Sequence, residues 1–212
     1  MAHGMKMTAE QKGDMHLDRL ITILNGYKIA QLPNGDRLAP SIQQKQFDWK
    51  FVVAVLPILY GSAFKVRIIR ERIMRKLGVG PSFKILFIQM NRQCGKTTEM
   101  MKIIAAMGLT TPIFQIVTGH TVGVGQKLIL GVAKMVRALQ AVVTDIELPT
   151  IDTRREGMNN LFLLWNDGSE SHFQRMTASP KRYVFHTLSH ARRLDPSRRN
   201  TSLCQTIHER IL

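Results

Sequence analysis

Phe83–Thr98 reads FKILFIQMNRQCGKTT, and the reading of these residues decides the fold. FKILFIQ is a β-branched and aromatic run bounded by Gly78, Gly80 and Pro81, the pattern of a buried strand. TTEMMKIIAAM, Thr97–Met107, is rich in helix formers with Met101, Ile104 and Ala105 on one face, and Gly108 stands where a C-terminal cap belongs. Between strand and helix lies Gly95-Lys96-Thr97. A helix N-terminus leaves backbone N–H groups without partners and carries partial positive charge, so a loop in this position supplies several donors to a phosphate.

In that geometry Gly95 lets the backbone close on the phosphate, Lys96 bridges β- and γ-phosphate oxygens, and the Thr97 hydroxyl ligates Mg²⁺. Met90 stands where the usual motif has its first glycine, so Met90 or Asn91 must make the turn; of the two, Asn tolerates positive φ at modest cost.

Upstream, Ile42–Tyr60 is apolar enough for a buried helix, with Phe47, Phe51, Val52, Val55 and Leu59 near helical spacing and Pro57 disturbing the last turn. FKVRIIRERIMRKL, residues 64–77, predicts one basic amphipathic helix with Val66, Ile69, Ile73 and Leu77 inward, its cations either a solvated face or phosphate contacts. Residues 1–40, punctuated by Asn25-Gly26 and Pro33-Asn34-Gly35-Asp36, read as short irregular elements or a small hairpin.

Downstream, Pro112–Thr118 reads as a second strand and Val124–Leu139 as a further amphipathic helix, the order of a parallel α/β sheet. LFLLWNDGSESHFQ places two extended runs around Asn166-Asp167-Gly168-Ser169, a β-hairpin signature.

The 212 residues, 44% hydrophobic and 21% charged, suit one globular domain, and a formal charge of +15 favours polyanionic partners. Two cysteines, Cys94 and Cys204, argue against a disulfide framework, and no signal peptide or membrane span is read, so the chain is expected to be soluble and not secreted. His186 and His190, at i,i+4, are the histidines at ligand spacing, but no acid or Cys accompanies them; these two, with His120 and His172, read as solvated or core side chains.

Asn91-Arg92-Gln93-Cys94-Gly95-Lys96-Thr97-Thr98 resembles the glycine-poor, arginine-bearing Walker A of the large subunits of viral DNA-packaging terminases of tailed phages and herpesviruses. IFQIVTGH, Ile113–His120, looks like that family's next strand and its loop. NLFLLWNDGSESHF, Asn160–Phe173, is similar to the element preceding the family's Walker B. Gln44 or Gln46 in SIQQKQFDW matches the family's adenine-reading glutamine.

The resemblance covers roughly 42–174 and implies an incomplete parallel-sheet P-loop NTPase core (RecA/terminase-like) with a β-hairpin near its C-terminus. An N-terminal irregular segment would then span 1–41 and a basic tail 175–212. It implies ATP and Mg²⁺ as cofactors and hydrolysis driving double-stranded DNA into procapsids. Lys96 and the loop amides would neutralise phosphoryl charge, and Arg92 would act in cis or stand as a surface cation. Gln93 and Cys94 would contribute mainly backbone. The implied partners are DNA, further copies in a ring, a small terminase subunit and the portal or procapsid, with no membrane. The implied setting is the host nucleus for a herpesvirus type and the host cytoplasm for a phage.

Such an ATPase needs an acid at a neighbouring strand end and a glutamate to activate water. RMTASPKRYVFHTLSHARR, where the family places them, contains neither, with His186 following the strand-like Tyr183–Phe185. The expectation is a fragment truncated or misread beyond about residue 174, inactive alone. AVVTDIE, Ala141–Glu147, offers Asp145 to a helicase-like NTPase, or is a strand end entering the Leu148-Pro149 turn. A non-enzymatic basic nucleic-acid-binding protein is the third reading.

Overall fold

The computed structural model describes residues 7–80, 95–119 and 121–177. The expected strand at 83–89, the loop residues Asn91, Arg92, Gln93 and Cys94, His120, and the basic tail from 178 onward lie outside the described residues.

The first element corrects the sequence reading of residues 1–41. Helix α1, Ala9–Gly26, fills most of a stretch expected to be irregular. Thr8 and Gln11 form a capping box, Gln11 N donating to Thr8 Oγ1 at 3.2 Å and Thr8 N donating to Gln11 Oε1 at 2.8 Å. Leu17, Leu20, Ile23 and Leu24 share a face and lie in the same core cluster as residues of the later helices and strands, so α1 belongs to the same packed unit. Gly13 lets the Tyr60 ring come so close that an added Cβ would lie 2.1 Å from it, and Tyr60 donates to Asp14 Oδ1 at 2.7 Å. The small hairpin appears only as an isolated bridge, Gln31 to Arg37, around Gly35 at φ 85°.

Helix α2, Ile42–Tyr60, matches its expected bounds; Ser41 and Gln44 cap it. Pro57 does not end it, since the chain stays helical for another turn before Gly61 at φ 51°. The basic helix is divided: α3, Ser62–Lys65, and α4, Arg67–Lys76, meet at Val66, which is extended with ψ at 116°. As the N-cap of α4, Val66 leaves the inward stripe and is 49% exposed, while Ile73 is buried.

Helix α5, Lys96–Thr110, continues through Gly108, which is therefore not the cap. An added Cβ there would sit 2.1 Å from the Phe173 ring, so the glycine serves close approach of helix and sheet. Strand β1, Phe114–Gly119, follows, then helix α6, Val122–Gln140, capped by Thr121. Gly131 of α6 faces Met101 of α5 at similarly short range.

After a turn come β2, Thr150–Ile151, β3, Asn160–Leu164, and β4, Glu170–Thr177. β3 and β4 form the expected hairpin around Gly168 at φ 81°, closed by Trp165 N donating to Ser169 O at 2.9 Å. The sheet order is β1-β4-β3-β2; β1 pairs parallel with β4, and the remaining pairs are antiparallel. The chain is thus mostly helical, mixed α/β, with a four-stranded mixed sheet rather than the expected parallel one among the described residues. Helices α5 and α6 cover the face bearing Val117, Leu161, Leu163 and Phe173, all buried. On the other face Phe114, His172 and Phe162 stand in one row, with His172 and Phe162 stacked at 4.1 Å and Phe114 and His172 tilted at 5.1 Å.

Candidate phosphate site at the start of α5

Chain direction brings the informative turns to one end of the sheet. Ser171 of β4 donates to the carbonyl of Gly108, 2.8 Å away, and Phe173 packs on the same glycine, near the C-terminal end of α5. Farther along β4, Arg175 packs against Gly125 near the start of α6. Gln115 of β1 reaches back to the carbonyl of Ile104 at 3.1 Å, so β1 runs antiparallel to α5. The C-terminal ends of β1 and β4 and the N-terminal ends of α5 and α6 therefore lie together, the edge where open α/β sheets take ligands.

At that edge Gly95 enters α5 in the left-handed conformation, φ 72° and ψ 22°, which a Cβ would penalise. The helices α1, α2 and α6 each start from a hydroxyl side chain that accepts a backbone N–H, whereas α3, α4 and α5 start with no side-chain cap. Among the described residues no side chain caps the first turn of α5, so its amides there are open to backbone, solvent or an anion. Lys96 and Thr97 are exposed and Thr98 is half-buried, which keeps the ammonium and the hydroxyl available. Thr97 is the side chain that could hold Mg²⁺; no group of three or more His, Cys, Asp or Glu that could hold a metal occurs among the described residues.

Gln44, not Gln46, lies beside Gly95. Its Nε2 is 3.1 Å from where a Cβ on Gly95 would stand, while its Oε1 accepts from Ser41 N at 2.8 Å. Gln46 is exposed and, two residues on, points about 200° around α2 from Gln44. The single amide thus caps α2 and packs against the glycine that opens α5.

One turn farther in, Asp48 of α2 meets Glu99 of α5, and sequence reading gave no hint of it. Glu99 and Lys102, both 1% exposed, pair at 2.9 Å. The Lys102 ammonium lies 5.1 Å from the centre of the Tyr27 ring, and the Tyr27 hydroxyl donates to the Lys102 carbonyl at 3.0 Å. Burial holds the Tyr27 phenol well above its usual range, with Glu99 and Asp48 adding to the effect, so it remains a neutral donor. Tyr27, Asp48 and the Glu99–Lys102 pair come from separate elements, so no local pattern reports the cluster.

Asp145 is exposed in the turn after α6, and Ala141–Glu147 forms no strand. Glu147 instead meets Asn166 of the hairpin, and its carbonyl accepts from Arg19 at 2.8 Å. His172 is held below its ordinary value chiefly by burial between the two phenyl rings. No helix of the described residues is long and apolar enough to cross a membrane.

No family model matches this chain, and no curated protein is similar to it at a significant level.

Proposed function

We propose that the chain is the ATP-binding portion of a viral terminase large subunit, in which ATP–Mg²⁺ bound at the start of α5 serves the packaging of double-stranded DNA. The observation that supports this reading most is the uncapped entry of α5 through left-handed Gly95, with Lys96 and Thr97 exposed beside it. Helix N-terminal amides, an exposed ammonium and a hydroxyl at the same end of a helix are what a triphosphate and its Mg²⁺ require. In this reading Lys96 contacts the phosphates, Thr97 ligates the ion, and Gln44 borders the adenine; Asn91, Arg92, Gln93 and Cys94 complete the loop. The parallel pairing of β1 with β4 and the covering of one face by α5 and α6 agree with a P-loop core. The implied partners remain DNA, other copies of the chain, a small subunit and the procapsid portal.

A helicase-like reading through Asp145 has less support, since that carboxylate leaves an exposed turn rather than a strand end. A basic protein that binds nucleic acid without nucleotide is favoured by a different observation: the cations exposed on α4.

Calorimetric titration with ATP, with and without Mg²⁺, tests the proposal. Saturable 1:1 binding is expected, weakened about tenfold or more in Lys96→Ala through loss of charge-assisted hydrogen bonds. Equal affinity in wild type and Lys96→Ala, or no heat in either, would refute it.

A further inference from the structure

Asp48 and Glu99 are the turn-for-turn continuation of the contact between Gln44 and Gly95: each lies four residues on, along α2 and α5 respectively. Their carboxyl groups are hydrogen-bonding neighbours, yet a carboxylate brings no donor. Lys102 occupies Glu99 Oε2 at 2.9 Å, leaving Glu99 Oε1 and Asp48 Oδ1 as buried oxygens that no donor among the described residues reaches. Two ionised carboxylates in contact with one lysine would leave a buried negative charge; a proton between them removes it and supplies the missing donor.

We propose that Asp48 and Glu99 share one proton, and that this proton is a pH-sensitive latch holding α2 against the start of α5. The groups facing it are Tyr27 at the C-cap of α1, Asp48 from α2, and Glu99 and Lys102 from α5. Burial first, then the hydrogen bond and the charge of Glu99, push the Asp48 carboxyl up to about 7, with Lys102 opposing. Folded Asp48 thus keeps its proton to a higher pH than the unfolded chain does. Its contribution to stability is complete below the ordinary value of 3.8 and is lost as pH rises through about 7. Loss of the proton sets like charges against each other one turn below Gly95 and weakens the contact that keeps Gln44 on that glycine. The inference concerns the folded chain alone and stands whether or not the α5 site takes nucleotide.

Asp48→Asn supplies a permanent N–H donor in place of the shared proton. Melting temperatures of the full chain and of Asp48→Asn, measured from about pH 3.5 to about pH 8, should coincide at the acid end. At the alkaline end the unmodified chain should melt about 5 °C lower. His16, held below its ordinary value of 6.5 chiefly by burial, is present in both chains and cancels in the comparison. As an independent readout, the ¹³C carboxyl resonance of Asp48 should move with a midpoint near 7. A melting difference that does not change with pH, or an Asp48 resonance that titrates near 3.8, would overturn the proposal.

Discussion

Gly95 and Gly108 bracket α5, and each is a glycine for a different reason. Gly95 needs its positive φ; Gly108 has ordinary helical geometry and needs the absence of a side chain, because the Phe173 ring occupies the space a Cβ would fill. Gly108→Ala is therefore expected to destabilise the fold by about 1–3 kcal/mol through overpacking, read as a lower midpoint in urea denaturation. A midpoint equal to that of the unmodified chain would mean that Phe173 does not pack there. Gly95 is legible through its Lys-Thr neighbours. Gly108 carries the local signature of a cap, and nothing near it in the chain reveals a phenyl ring arriving from a distant strand. Asp48 and Glu99 escaped for the same reason: each is an ordinary helix residue until α2 and α5 are placed side by side.

Among the elements, those with a strong periodic or turn signature were readable. Asn166-Asp167-Gly168-Ser169 gave the β3–β4 hairpin, and the apolar spacing gave α2 and α6. Helix α1 was missed although Thr8-x-x-Gln11 is a capping signal, because its polar residues and Gly13 masked the stripe of Leu17, Leu20 and Leu24. Helix α4 covers only Arg67–Lys76 of the single basic helix expected over 64–77, with Val66 dividing it from α3. It rests on α1 through Arg72 with Glu10 and through Lys76 with Asp14 at 3.6 Å, and Arg67 pairs with Glu71 within the helix. Among the described residues, Lys65, Arg70 and Arg75 are exposed cations that no carboxylate pairs with. Under the proposed function these three contact DNA phosphates. Replacing them together by Gln should lower the slope of log K against log salt by about 2 to 3 without altering ATP affinity. An unchanged slope would move the DNA contact elsewhere on the chain.

At the scale of the molecule, the chain carries a formal charge of +15, and among the described residues one core cluster joins α1 to α6 and the sheet, whose covered face packs on α5 near Gly108. The α/β order was legible because hydrophobic period and turn chemistry are local. The mixed direction of the sheet was not, since pairing β4 beside β1 is a long-range choice that leaves no trace in either strand. The proposed nucleotide role depends on one physical condition, that the first-turn amides of α5 are free to take phosphate. Backbone ¹H–¹⁵N spectra recorded while ATP–Mg²⁺ is added measure this most directly. The account predicts that the amides of Gly95, Lys96, Thr97 and Thr98 shift together, saturably, and more than those of α4. Shifts confined to the basic surface of α4, with residues 95–98 unmoved, would contradict it.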